Sequence, residues 1–300
     1  MLAAVAAAAL TTGCSTFTNT DRVATVNGAD ISRDDFDEVA DEFFGKPELY
    51  GSQPVVDGHV DAQSARGLLG ALVQREVFHA VVDDEAAIAA ARDGFFAGVP
   101  PEDPLFAMSE PVRNLVADIQ TDVQTAALAS LAAPSDAELE QRYAADPASV
   151  GVMCVRHILS DSEADADAIA AELAQGADFA VLATERSTDP TAVDNGGALA
   201  GLGGECLTVQ EAVEAIDPVF TAHALDADPS APSAPFQTDF GWHIVLHRPW
   251  SEVGESVVAL HADGQSGLLQ YGAAIVGADI EVAPEFGVWD SGSRSVVPLG

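Results

Sequence analysis

Basic side chains are scarce in this sequence. Lys46 is its one lysine, eleven arginines supply the other cationic side chains, and 48 acidic residues bring the formal net charge to -36. A polyanion of this density repels phosphate groups. The charge therefore argues against nucleic acid as a partner, and also against direct binding to anionic lipid headgroups.

Long apolar runs are missing near the N-terminus as well. Residues 2–10 form an apolar run of nine, whereas a membrane-spanning helix needs roughly 20. This length is typical of the h-region of a secretion signal, and the small residues Thr11-Thr12-Gly13 before Cys14 are similar to a bacterial lipobox. We therefore expect residues 1–13 to be a signal peptide and residues 14–22 a tether lipidated at Cys14. The alternative is an uncleaved, disordered tail in which the cysteine occurs by chance.

Cysteine is the third scarce residue type, with three in the chain. If Cys14 is lipidated, Cys154 and Cys206 remain as an even pair in an oxidising compartment. They form either a disulfide or two buried free thiols. Two cysteines make a poor metal site, because structural zinc usually takes four nitrogen or sulfur ligands. The sequence therefore predicts no metal.

The pattern of apolar residues at positions 23–148 predicts a helical domain. A short strand at residues 23–26 precedes Ser32 and Asp35, which imitate a capping box at the start of a helix. Apolar residues then recur at helical spacing in four segments, of which residues 112–123 are predicted to be one continuous helix. This part of the sequence contains no obvious catalytic cluster.

Residues 151–250 have a different pattern, with two strands enclosing two helices and a glycine turn. The first strand is predicted at residues 152–159 and the closing strand at residues 242–246. Between them, a helix at residues 163–175 is followed by a shorter one capped by Asp178. A helix covering a small antiparallel sheet is an α+β arrangement.

Motifs in this second part resemble those of the parvulin family of peptidyl-prolyl isomerases. In the order of that family they are Arg156-His157-Ile158-Leu159, Gly176-Ala177-Asp178-Phe179, Ser187-Thr188-Asp189, Asn195-Gly196-Gly197-Ala198-Leu199, Phe220 and Phe240-Gly241-Trp242-His243-Ile244. Each motif is weak alone, and their shared order makes the signal specific.

The flanking segments extend the resemblance to SurA/PrsA-type exported foldases. Residues 23–36 are similar to the start of the helical chaperone domain of these proteins, and residues 134–143 to its last helix. The resemblance implies an α+β fold with a SurA-like chaperone domain at residues 23–148 and a PpiC-type parvulin domain at residues 151–250. A C-terminal segment, residues 251–300, is expected to pack back on the first domain.

The resemblance also implies roles for individual residues. His157, His243 and Asp189 match the catalytic polar network of the family, with Asp189 orienting or polarising the histidines. A socket for the proline ring is implied by matches at Leu199, Ile216, Phe220 and Phe240. The alternative for the histidines is structural, because paired imidazoles in this fold can hold the sheet together by hydrogen bonding.

The family's chemistry is the rotation of X-Pro peptide bonds, which makes and breaks no covalent bond and so requires no cofactor. The resemblance implies a peptidyl-prolyl isomerase and folding chaperone. Its partners would be unfolded or nascent exported polypeptides, met outside the cytoplasm at the outer face of the cell membrane. The alternative hypothesis is a holdase chaperone whose parvulin domain is an inactive scaffold.

Overall fold

The computed structural model describes residues 21–45, 55–56, 59–201 and 204–299. The predicted signal peptide, Cys14 and most of the tether therefore lie outside the described residues. Within those residues, no helix combines the length and apolarity that a membrane crossing requires.

The described chain is mostly helical, with short strands between the helices. The helices are α1 (Arg33–Phe44), α2 (Ala62–Val81), α3 (Glu85–Gly98), α4 (Glu110–Asp118), α5 (Thr121–Leu128), α6 (Asp136–Ala145), α7 (Glu163–Ala174), α8 (Phe179–Arg186), α9 (Ala192–Asn195), α10 (Val209–Ala215), α11 (Pro218–Leu225), α12 (Trp250–Leu260) and α13 (Ser266–Val276). The strands are β1 (Arg22–Val26), β2 (Ala29–Ser32), β3 (Val55–Val56), β4 (His59–Val60), β5 (Val152–Met153), β6 (Val155–Ser160), β7 (Leu207–Thr208), β8 (Phe236–Thr238), β9 (Gly241–His247), β10 (Ile280–Val282), β11 (Val288–Asp290) and β12 (Ser295–Val297).

Side-chain caps fix the starts of several helices where the sequence predicts them. The Ser32 hydroxyl accepts a hydrogen bond from the Asp35 amide at the start of α1. Ser135 and Glu138 form a complete capping box at the start of α6. Each cap satisfies an amide that the helix itself leaves without a partner.

The continuous helix predicted over residues 112–123 is wrong. The chain forms two helices there, because Gln120 adopts an extended conformation between the end of α4 and the start of α5. The side-chain amide of Gln124 donates a 2.9 Å bond to the Asp118 carbonyl. This bond satisfies a carbonyl that the helix break leaves without a helical partner.

The C-terminal segment returns to the first part of the chain, as expected. Strand β1 pairs on one side with β2 and on the other, antiparallel, with β10. The ring of Phe286 lies edge-on to Phe36 with centroids 5.1 Å apart, and Tyr271 of α13 lies 6.1 Å from Phe78 in the same way. One apolar core therefore joins the N-terminal helices to the end of the chain.

A buried carboxylate, Asp118, ties three helices of this core together. It accepts hydrogen bonds from Arg75 and His79 of α2 and a bidentate pair from Arg92 of α3, at 2.7–3.0 Å. Burial alone would raise the pKa of Asp118, but the bonds from His79, Arg92 and Arg75 outweigh it and hold that pKa well below its usual range. The carboxylate is thus ionised and fully partnered inside the core.

Replacing Asp118 with alanine should strongly destabilise the protein, because three donors would lose their common acceptor. Breaking a buried ion pair from one side costs about 3–5 kcal/mol, and urea unfolding would measure that loss. Asp93→Ala, at an exposed position of α3, is the matched control and should change the free energy of unfolding by less than about 0.5 kcal/mol. Equal effects of the two substitutions would contradict this role for Asp118.

The second part of the chain is built on a three-stranded antiparallel sheet in the order β6-β9-β8. Helices α7 and α8 cover one face, where Ile158 and Ile244 meet Ile169 and Leu182. Helices α10 and α11 cover the other face, where Val155 and Val245 join an apolar cluster. The predicted α+β layout is confirmed, and the second face of its sheet carries the candidate site.

Candidate functional site

Antiparallel pairing of β6 with β9 brings the two predicted histidines together. His157 lies opposite Val245, and His243 lies opposite Leu159. Because side chains alternate along a strand, this register puts both imidazoles on one face, diagonal to each other. Their rings are nearly parallel, with an interplanar angle of 18° and centroids 5.9 Å apart.

Asp189 meets the first histidine directly. Its carboxylate lies 2.7 Å from Nε2 of His157. Ser187 fixes the loop that carries Asp189, because its hydroxyl accepts hydrogen bonds from the amides of Leu159 and Asp189. The Ser187-Thr188-Asp189 motif therefore holds the carboxylate against β6.

The glycine turn after α9 packs against the backbone of the same histidine. The His157 amide donates a 2.8 Å bond to the Gly197 carbonyl. Gly197 has φ +78°, and a Cβ there would lie 2.3 Å from the His157 carbonyl oxygen. Only glycine allows both this conformation and this approach, so the turn holds β6 in place beside the site.

A threonine that the sequence analysis missed holds the second histidine. The Thr238 hydroxyl lies 2.8 Å from Nε2 of His243 and also accepts a 3.1 Å bond from the Phe240 amide. Thr238 ends β8 just before the turn into β9. A short alternating run, Phe236-Gln237-Thr238, was the signal in the sequence that could have revealed this strand.

Of the apolar residues predicted for the socket, Phe220 contacts the histidines directly. The Phe220 ring is buried and lies edge-on to both imidazoles, 5.6 Å from His157 and 5.1 Å from His243. Leu199 and Ile216 are partly buried against the same apolar cluster. Phe240, in contrast, is 69% exposed at the turn between β8 and β9, so its role in substrate binding stays a prediction.

Four aromatic rings form a stacked row across the site. His223 of α11 stacks on Phe236 at 4.2 Å, Phe236 stacks on His243 at 5.5 Å, and His243 stacks on His157. The interplanar angles are 16°, 23° and 18°. Neither Phe236 nor His223 was assigned a role from the sequence, and the row runs from α11 through Phe236 and His243 to His157.

Burial and charge oppose each other at these groups. Burial lowers the pKa of His157, although Asp189 opposes that shift. Burial and repulsion from His157 lower the pKa of His243 to about 4. Burial favours neutral Asp189, but bonds from Thr191 and His157 outweigh it and keep the pKa of Asp189 below its usual range. Near pH 7 the site thus contains two neutral imidazoles and one carboxylate.

Both histidines retain one nitrogen without a partner. Within the described part of the chain, Nδ1 of His157 and Nδ1 of His243 are buried and accept or donate no hydrogen bond. Buried polar atoms are rarely left in this state. The two nitrogens are therefore the groups at this site that a bound polar ligand would satisfy.

The structure joins Cys154 and Cys206 by a disulfide, one of the two states that the sequence left open. Cys154 separates β5 from β6, and Cys206 immediately precedes β7. Both cysteines are buried. The cross-link therefore attaches the connection that follows Leu199 to the strand that carries His157.

The described residues contain no group of three or more histidine, cysteine or acidic side chains arranged to hold a metal ion. His247 and His261 are buried elsewhere, and His261 is bonded to Ser266 and to the Val150 carbonyl. The polar chemistry of the site is thus that of two imidazoles, a carboxylate and a hydroxyl.

A family model of PPIC-type PPIase (rotamase) domains matches residues 157–248. These residues span both histidines, Asp189, Thr238 and the apolar cluster. The chain carries a PPIC-type rotamase domain. The recognition of the parvulin family from the sequence is confirmed.

Curated relatives are similar to this chain over 89 to 147 residues. The chain is 34% identical over 147 residues to the foldase protein PrsA of Caldanaerobacter subterraneus, covering 47% of this chain and 42% of that protein. It is 36% identical over 89 residues to PrsA of Clostridium acetobutylicum, which covers 30% of this chain and 24% of that protein. It is 38% identical over 91 residues to a parvulin-like PPIase of Rickettsia bellii, which covers 30% of each chain. The chain thus spans less than half the length of each of these relatives.

Solved structures with weak overall likeness include PrsA of Bacillus subtilis, at 18% identity and TM-score 0.29, covering 88% of this chain and 94% of that one. A SurA-like chaperone of Campylobacter jejuni has 22% identity and a TM-score of 0.27, and the match covers 84% of this chain and 95% of that one. These scores are low, so the rotamase assignment rests on the match of residues 157–248.

The lowered pKa of His243 predicts a pH-dependent stability. Between pH 6.5 and 4 the unfolded chain binds a proton at this imidazole that the native state does not. The free energy of unfolding should therefore fall as the pH decreases through this range, by about 3 kcal/mol for this group. Urea unfolding of His243→Gln should show a correspondingly weaker pH dependence than the native sequence. Gln141→Ala, at an exposed position of α6 away from the site, is the control, and an unchanged pH profile in His243→Gln would contradict the assignment.

Removal of the disulfide should destabilise the rotamase domain. Its cysteines are separated by 52 residues, and closing a loop of that length stabilises by about 4 kcal/mol in the chain-entropy model. The double substitution Cys154→Ala, Cys206→Ala should lower the free energy of unfolding by that order. Dithiothreitol should destabilise the native chain and leave the variant unchanged, and the same effect of the reductant on both proteins would count against the bond.

Proposed function

We propose that this protein is a peptidyl-prolyl cis-trans isomerase and folding chaperone for exported polypeptides. The observation that carries the proposal is the pair of neutral, buried imidazoles that share the edge of Phe220 inside a rotamase domain. Unfolded chains are the expected substrates, because an X-Pro bond in a folded protein is seldom free to enter a site.

The barrier to be lowered comes from amide resonance. It amounts to about 18–20 kcal/mol, and uncatalysed X-Pro exchange takes tens of seconds or more. In the twisted state the nitrogen loses conjugation and the carbonyl loses polarity. An apolar socket therefore favours the twisted bond over the planar one, and Leu199, Ile216 and Phe220 supply such a surface.

The imidazoles would add selective hydrogen bonds. Asp189 accepts a hydrogen bond from the Nε2–H of His157, so that Nδ1 of this neutral ring is a hydrogen-bond acceptor. The Thr238 hydroxyl is hydrogen-bonded to Nε2 of His243, so Nδ1 of His243 points away from this hydroxyl. Polar contacts that strengthen as the peptide twists bind the transition state more tightly than the ground state, and this difference is what accelerates the reaction.

A protease-coupled assay on proline tetrapeptides tests the proposal. The full chain should accelerate cis-trans exchange, and His157→Ala, His243→Ala and Asp189→Asn should each lower kcat/KM by about a hundredfold, the order seen when a transition-state donor is removed. Arg186→Ala, which breaks a surface pair with Glu172 on α7, is the control.

Two results would contradict the proposal. No acceleration by a chain that is folded by circular dichroism would leave the holdase with an inactive rotamase scaffold as the better description. Full activity in both histidine variants would refute the assignment of the catalytic groups.

We also propose that the protein acts outside the cytoplasm and is anchored through a lipid on Cys14. Support comes from the apolar run at residues 2–10 and the small residues before this cysteine. A lipidated chain should enter the detergent phase in Triton X-114 partition of host membranes, and Cys14→Ala should move it to the aqueous phase. An unchanged partition of the variant would exclude the anchor.

A further inference from the structure

A second candidate site lies between the rotamase domain and the N-terminal helices. The cleft has a volume of about 740 Å³, and its walls come from α2, the N-terminal end of α5, Gln210 of α10 and strand β12. Pockets of roughly 300–1,000 Å³ hold ligands of drug size. The cleft therefore has room for several residues of a polypeptide, far more than a single inorganic anion fills.

The charge of this cleft is opposite to that of the protein. The chain has a net charge of -36, yet the described residues that line the cleft include two arginines, Arg66 and Arg294, and no aspartate or glutamate. Four glutamines, at positions 63, 74, 124 and 210, complete most of its polar lining. The charged side chains that line this cleft are therefore positive, and the nearest carboxylate acting on Arg294 is Glu214, which lies outside the lining.

Arg294 is held in this cleft by its backbone and by a neutral partner. Its φ of +49° is rare for a residue with a side chain, and its carbonyl accepts a 3.1 Å bond from the Gln74 side chain. Its guanidinium donates to the amide oxygen of Gln210, whose own NH₂ group donates to Glu214. The Nε atom is buried and has no partner among the described residues.

Arg66 also forms no ion pair in the described structure that would neutralise it. The carboxylate acting on it is Asp61. That carboxylate already caps α2 by accepting bonds from the amides of Gln63 and Ser64 and from the Ser64 hydroxyl. Both arginines of the cleft therefore retain donor capacity for an anionic ligand.

The backbone adds to this positive potential. Helix α5 begins at Thr121, on the wall of the cleft, and no side chain caps its N-terminus. The amides of an uncapped first turn carry partial positive charge. Asp122 of the same turn lines a different cavity, on the other side of the helix.

We propose that this cleft binds carboxylate side chains of an extended, acidic polypeptide segment, as a client site separate from the proline socket. Carboxylates suit paired guanidinium groups, which bind them through charge-assisted hydrogen bonds. The half-exposed Ile119 and the backbone of β12 supply the apolar and main-chain contacts that a peptide uses beyond its charges.

Helix α10 connects this cleft to the socket. Gln210 lines the cleft, and Ile216, which caps the other end of the helix, belongs to the apolar cluster around Phe220. The two positions are separated by about 9 Å along a helix. A client must therefore place its acidic residue at least about three extended residues from the proline to occupy both sites.

Fluorescence anisotropy with the full chain tests this proposal without involving isomerisation. The probe is a proline-free, fluorescein-labelled decapeptide with three aspartates, and its twin has asparagine at those positions. The aspartate peptide should bind at least about tenfold more tightly than its twin, and added salt should weaken it. Arg66→Gln and Arg294→Gln should each lower its affinity about tenfold, because each removes a charge-assisted bond.

Two further variants control for charge and folding. Arg142→Gln, at an exposed position of α6 that does not line the cleft, should leave the affinity unchanged although it removes the same charge. Arg294→Lys keeps the positive charge, so it should retain more affinity for the aspartate peptide than Arg294→Gln does.

Equal binding of the two peptides, or affinity that neither Arg66→Gln nor Arg294→Gln alters, would overturn the proposal. So would saturable binding of inorganic phosphate or of phosphatidylglycerol vesicles with no binding of the aspartate peptide. Because the probe contains no proline, failure here leaves the proposed isomerase untouched, and an inactive isomerase leaves this test valid.

Discussion

The antiparallel pairing of β6 with β9 is the constraint on which the candidate site depends. Its register places His157 and His243 on the face of the sheet that α10 and α11 cover, next to Phe220. A slip of one residue would move the side chains of one strand to the opposite face, where Ile158 and Ile244 now meet α7 and α8. The apolar side chains of both faces therefore fix the geometry of the polar ones.

Around this pairing, each of the two imidazoles has one nitrogen that is held and one that has no partner among the described residues. Asp189 is held by its loop and holds His157, while Thr238 holds His243. Burial disfavours the charged form of both imidazoles. Repulsion between two protonated rings would disfavour it further at His243. The other groups of the site are thus held in place before any ligand arrives.

Much of the fold could be predicted from the sequence, because local patterns decide it. The caps at Ser32 and Ser135 depend on residues three positions apart, and the alternation around His157 and His243 is visible along each strand. The break after Asp118 was missed, because the apolar period continues through it while Gln120 departs from helical backbone angles.

The unpredicted parts of the site depend on contacts between distant segments. Thr238 and Phe236 acquire their roles only when β8 pairs with β9. The disulfide state of Cys154 and Cys206 required the two segments to be placed side by side. The cleft of Arg66 and Arg294 joins residues from opposite ends of the chain, which no local pattern reveals. Sequence motifs thus located the imidazoles, and the tertiary structure supplied the groups that orient them.

The central claim is that a proline ring binds against Phe220 beside the two imidazoles. The most direct measurement is an NMR titration of the ¹⁵N-histidine-labelled, full chain with an Ala-Pro peptide, followed at the imidazole nitrogens. The account predicts that the Nδ1 resonances of His157 and His243 shift in a saturable way, while those of His261 do not. Saturable binding that leaves both Nδ1 resonances unchanged would contradict it.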